Sequence, residues 1–257
     1  MRSLLLGVLV TGTLFAQPPG TARGPQPPRS PRAGAPVDFT GYWVSVISED
    51  WRWRMVTPAK GDFVSIPYTP EAKRVGELWD PAKDEASGDV CKAYGAAAIM
   101  RLPGRLHITW QDDTTLKIET DTGLQTRLLI FNSKHAENLK PSRQGYTAAN
   151  WESPERGIGL PRQGLGATRE GNQSKALHAV TTHLLPGYLR KNGFPVSGNA
   201  VVTEDYDYFT ERSGQPWFVV TTIVNDPIYL QEPFVTSSNF KKEPDGSKWR
   251  PRACSAR

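Results

Sequence analysis

Three short β-prone segments between Arg105 and Phe131 do most to limit how this chain can fold: RLHITWQD, TLKIET and LQTRLLIF. Only the turn formers Asp112-Asp113-Thr114 and Asp121-Thr122-Gly123 separate them. Strands joined this closely cannot run parallel, because a parallel pair needs a connection of about a dozen residues or more. The chain therefore contains an antiparallel meander. Similar β-prone segments lie at FTGYWVSVI, HAVTTHLL, GNAVVTEDYDYF, PWFVVTTIV and IYLQEPFV. The tally is roughly eight or nine strands. One helix is expected at TPEAKRVGELW, with Thr69 as cap, Pro70 at the first helical position, Glu71 in the first turn and Asp80-Pro81 as the stop. The expected fold is mainly β and antiparallel with one short helix. It closes as a barrel or packs as a two-sheet sandwich, either of which removes exposed strand edges.

The ends of the chain point to export. Residues 1–16 combine Arg2, an apolar run from Leu4 to Phe15 and the small Ala16, the pattern of a secretory signal peptide. Residues 17–36 carry seven Pro, three Gly, three Arg and no acid, which reads as a disordered tether. The net charge of +5 sits largely in Arg2 and those tether arginines, so residues 37–257 are close to neutral. A near-neutral body is a poor partner for nucleic acid. No apolar run is long enough to span a bilayer as a helix. The two cysteines, Cys91 and Cys254, are expected to pair in an oxidising periplasmic or extracellular compartment, stapling the tail to a single domain over 37–257. A long Gly-rich segment, 152–175, interrupts that domain as a lid or as disorder.

Gly41-Tyr42-Trp43, at the head of the first strand, is similar to the G-x-W signature of lipocalins. That resemblance implies an eight-stranded calyx around a small hydrophobic ligand, with the Trp closing its floor beneath a late Arg. A broader resemblance, to a group of exported bacterial proteins without a known activity, rests on five blocks. These are Asp38 to Trp43, Cys91 followed by Met100, His183 with Gly187 to Gly193, Thr203-Glu204, and Asp226 to Phe234. It implies an export-associated β-fold and no reaction type.

Strand alternation puts two carboxylates on apolar faces: Glu204 with Val202 and Tyr206, and Glu232 with Leu230 and Phe234. Brought together, they would form an acid–base pair of the kind glycosidases use. Apart, each is expected to pair with an interior Arg or Tyr as a structural pin. His183 is a candidate general base oriented by Glu204, or a hydrogen-bonded strand histidine. Arg190 and Tyr188, in the turn after it, are candidate anchors for an anionic group. Trp110, Arg127 and Tyr229 complete the expected ligand contacts. WRWR, Trp51 to Arg54, reads as a cation–π ladder or an amphipathic strand edge. No cofactor is expected. No metal site is expected either, since His178 and His183 fall on opposite faces of one strand. The reading is a barrel that binds a small, partly hydrophobic molecule in an internal cavity, with oligomeric state open. The alternative is an acid–base enzyme, an isomerase, cyclase or hydrolase, using the same cavity.

Overall fold

The computed structural model describes residues 29–132, 138–152 and 176–257. The proposed signal peptide, most of the proposed tether and the Gly-rich segment lie outside them. The expected meander forms as β2 (Arg105–Trp110), β3 (Thr115–Thr120) and β4 (Thr126–Phe131), paired antiparallel with Leu106 opposite Thr120 and Ile118 opposite Arg127. The remaining wall strands are β1 (Gly41–Val46), β5 (Tyr146–Trp151), β6 (Ala176–Thr182), β9 (Val201–Thr210), β10 (Pro216–Asn225) and β11 (Phe234–Glu243). They close into a barrel in the order β1-β11-β10-β9-β6-β5-β4-β3-β2. Nine strands cannot close a ring with every neighbour antiparallel, because the direction must alternate an even number of times. One parallel contact resolves this, and it falls between β4 and β5. The segment joining those two strands has the length that a parallel connection requires.

The barrel is thus closed, as the lipocalin resemblance implies, but with nine strands instead of eight. Trp43 is fully buried and its Nε1 donates to Phe39 O at 2.8 Å. The late cation over its ring is Lys242, 5.3 Å from the ring centroid, where the resemblance implies an Arg. This end of the barrel is packed with aromatics. Phe39 stacks on Trp151, and Trp110 and Trp151 both lean on Phe131. Residues 29–36, expected in the tether, are placed here: Trp151 Nε1 donates to Pro31 O and Arg32 N to Asp113 O.

The opposite end is covered by non-barrel chain. It includes a helical turn α1 (Trp51–Arg54), helices α2 (Pro70–Glu77) and α3 (Pro81–Ala86), and a hairpin of β7 (Gly187–Arg190) with β8 (Phe194–Val196). Thr69 caps α2 as expected, its hydroxyl accepting from Ala72 N with Pro70 at the first position. α2 ends at Glu77, short of Asp80-Pro81, and that pair begins α3: Asp80 accepts from Ala82 N and Pro81 opens the helix. In the β7–β8 turn Gly193 has φ +83°, and a Cβ there would lie 2.0 Å from Trp79, so both backbone and packing demand glycine.

Two hydrophobic cores result. One fills the barrel from its aromatic end and includes Trp43, Ile108, Leu129, Tyr206 and Phe218. The other lies under the cap, around Phe63, Leu189, Phe194, Val224 and Phe234. Cys91 and Cys254 are disulfide-bonded with their Cα atoms 5.2 Å apart, fastening the tail to the capped end. Among the described residues no helix is long and apolar enough to cross a membrane.

Candidate functional site

Between the two cores the barrel wall turns polar side chains inward, and Glu204 is among them. Its partner is Arg127 of β4, reached across the barrel. Arg127 Nη1 donates to Oε1 at 2.9 Å and Nη2 to Oε2 at 2.6 Å, and neither side chain is exposed. Arg127 Nη2 also reaches Thr181 Oγ1 at 3.4 Å, which sits 2.8 Å from Thr147 Oγ1. Tyr206 donates to Glu204 Oε2 at 3.3 Å. Burial pulls the Arg127 pKa down, but Glu204 and Tyr206 outweigh it and leave it above its ordinary value. Burial, then the Glu204 charge, holds the Tyr206 phenol well above its usual range, so it stays protonated as a donor. A carboxylate held bidentately this way is a strong, geometrically specific pin. It has no free lone pair facing solvent with which to move a substrate proton.

The other sequence candidates are not gathered around it. Glu232 is exposed and forms no pair with Glu204. The expected strand IYLQEPFV is a turn up to Pro233, and β11 begins only at Phe234. The cause is Asp226: its carboxylate accepts from Ser197 N, Ser197 Oγ, Ile228 N and Tyr229 N, curling the chain before Pro233. Tyr229 lies in that turn, its carbonyl accepting from Thr69 N. His183 lies just past the end of β6 with φ 57°, exposed, its Nδ1 2.8 Å from Thr182 Oγ1. The left-handed residue ends the strand and points the ring outward, away from Glu204. Trp110 belongs to the aromatic end.

The β7 candidates point to two different places. Tyr188 donates to Asp84 Oδ2 at 2.8 Å, within a compensated network in which Lys92 and Arg143 bind Asp84 and Asp89. Burial and Asp84 raise its pKa. Arg190 turns the other way, into a cleft of about 40 Å³ lined by Trp53, Arg54, Val56, Ala98, Arg101 and Leu189 among others. Here three arginines converge, each less than a tenth exposed: Arg54, Arg101 and Arg190. Arg101 and Arg190 both stand over the Phe234 ring, at 5.4 and 5.9 Å, and Arg190 is 5.3 Å from Trp53.

Among the described residues only one of the three has a carboxylate within ion-pair distance. Arg101 Nη2 donates to Asp50 Oδ2 at 3.0 Å, and Asp50 holds the left-handed conformation (φ 52°) at the start of α1. Arg54 gives Nε to Arg101 O and Nη2 to Ser238 Oγ; Arg190 gives Nη1 to Val64 O and Nη2 to Ser65 Oγ. Arg54 Nη1, Arg190 Nε and Trp53 Nε1 are buried donors with no acceptor among the described residues. Burial first, and Arg101 second, push the Arg54 and Arg190 pKa values down to about 10. Glu49 is hydrogen-bonded to Ser237, and Asp62 faces Arg52 at 3.5 Å, so both oppose the positive charge only from a distance.

WRWR is therefore a helical turn, not a strand edge, and it carries Arg54 into the cap core. The cation–π contact read from it does occur, with Arg52 5.4 Å from the Trp53 centroid. Arg101 carried no local signal, since its 3₁₀ turn, Ile99–Arg101, is placed by tertiary packing. On the outer wall Glu152, His178 and Asp205 could offer three metal-ligand atoms within 4.8 Å of one another. His178 Nδ1 and Asp205 Oδ1 already bond each other at 2.6 Å. Their grouping depends on the pairing of β6 with β9, which puts His178 opposite Asp205. No protein-family model, no curated protein and no solved structure matches this chain.

Proposed function

We propose that the chain is an exported small-molecule-binding barrel whose ligand docks at the capped end, in the cleft between α1 and β7, and not within the barrel. The inward volume that a calyx ligand would need is taken by buried side chains, among them Leu106, Ile118, Leu129 and Phe240. At about 40 Å³ the cleft takes one end of a molecule, not the whole of a drug-sized ligand, which needs roughly 300 Å³ or more. The observation that carries the reading is the set of buried donors on Trp53, Arg54 and Arg190 that have no acceptor among the described residues. Buried polar groups are rarely left so, since each costs about 1–3 kcal/mol unless something satisfies it. The disulfide supports an oxidising, exported setting. Acid–base catalysis draws less support, because Glu204 is enclosed by Arg127 and His183 stands apart from it.

A thermal-shift and Trp-fluorescence screen of small metabolites tests this with a blocking variant. Val56 lines the cleft yet is exposed, so Val56→Trp fills it without disturbing a core. Hits whose shifts vanish in Val56→Trp are the expected result. An absence of hits, or hits indifferent to that substitution, would overturn the reading.

A further inference from the structure

We infer that the group the cleft receives is a compact oxyanion, a carboxylate, phosphate or sulfate, seated between Arg54 and Arg190 and backed by Arg101; this rests on the cleft being the binding site. Three guanidinium groups share one small space with a single contacting carboxylate, Asp50. Gathering like charges out of water is unfavourable unless an opposite charge enters with them. Among the described residues neither Arg54 nor Arg190 has a carboxylate within ion-pair distance, and Glu49, Asp50 and Asp62 act on them only from further away. Each arginine is held by neutral acceptors at two nitrogens and leaves the third, Arg54 Nη1 and Arg190 Nε, without an acceptor among the described residues. Guanidinium groups bind carboxylate and phosphate oxygens with charge-assisted hydrogen bonds about twice as strong as neutral ones.

Size agrees with charge. A cleft of about 40 Å³ has room for about three water-sized groups, which suits an oxyanion or the anionic end of a larger molecule. Trp53 supplies both an indole N–H and an apolar edge for whatever carries the anion. The charged groups around the cleft are Arg52, Lys191, Glu49, Asp50 and Asp62 besides the three arginines. Burial lowers the Arg54 and Arg190 pKa values only to about 10, so both stay charged and binding is expected to hold steady from about pH 7 to about pH 9.

The test is calorimetric titration of the full chain with inorganic phosphate, sulfate and succinate at constant ionic strength in potassium chloride. Saturable binding of at least one of them is expected. Arg190→Met should weaken it about tenfold or more. The same substitution should leave the melting temperature of the unliganded protein unchanged or higher, because it removes an uncompensated buried cation. A purely structural Arg190 predicts a lower melting temperature with anion binding unaltered. Should Arg190→Met fail to fold, Val56→Trp asks the same question without touching an arginine, and must also abolish the response. No oxyanion binding, alongside neutral hits that Val56→Trp removes, overturns the oxyanion and leaves the site standing. Oxyanion binding that survives Val56→Trp overturns the oxyanion at this cleft, as a general salt effect.

Discussion

Glu204→Gln should destabilise the protein by about 3–5 kcal/mol, the cost of stranding a buried guanidinium. Arg127 has no exposure and gives two short hydrogen bonds to Glu204; its remaining acceptor, Thr181 Oγ1, is neutral and distant at 3.4 Å. Gln offers one carbonyl oxygen and no charge, so the interior would hold a bare cation between two apolar cores. Replacing both partners together, as Glu204→Leu with Arg127→Leu, should recover most of the loss, since apolar groups of similar volume often substitute for a buried ion pair at little cost. Urea unfolding of the three proteins reads the outcome directly. A catalytic carboxylate predicts the opposite sign, because active-site charges are commonly held at a cost to stability. A more stable Glu204→Gln would thus revive the acid–base alternative.

The second large effect concerns the tail. Cys91 and Cys254 are 163 residues apart in sequence, so their bond closes most of the domain into one loop. Chain-entropy arguments put the stabilisation from so long a loop at about 5 kcal/mol, and removal of native disulfides typically costs about 2–5 kcal/mol. Cys91→Ser with Cys254→Ser should therefore melt far below the native protein. The loss has a local face as well. Ser255 accepts from Lys191 at 3.0 Å and its backbone N–H donates to the Tyr94 hydroxyl, tying the tail to the residue after Arg190. Amide exchange should rise first in 252–257 and then in the β7–β8 hairpin; equal rates in the two proteins would show that the tail is held without the bond.

Much of this architecture was legible in local pattern, and the reasons are physical. The β2–β4 meander follows from turn length, α2 from Thr69 and Pro70, and the buried Trp43 from the G-x-W start. Glu204 was rightly placed on an apolar face, because a ten-residue strand keeps its alternation. Closure was not legible. Whether β4 meets β5 in parallel depends on the odd number of strands, which no single segment reveals. Strand alternation misplaces Glu232 because it does not survive Asp226, whose carboxylate accepts from nearby amides and curls the chain. Alternation also carries β6 on through His183, where a left-handed backbone ends the strand. Arg54 was visible only as half of an alternating WRWR, a period-two pattern that the chain folds as a helical turn. Arg101 could not be found at all, since nothing near it in sequence marks it as buried. The cleft is an assembly of α1, a 3₁₀ turn and β7, so it exists only once the cap has folded.

The most direct test of the proposed site is a crystal structure of the native protein, purified without denaturation or extensive washing. The account predicts ligand density in the cleft, within hydrogen-bond distance of Arg54 and Arg190 and beside Trp53, with the Arg127–Glu204 pair intact. Density inside the barrel, with Arg127 swung away from Glu204 to make room, would contradict it.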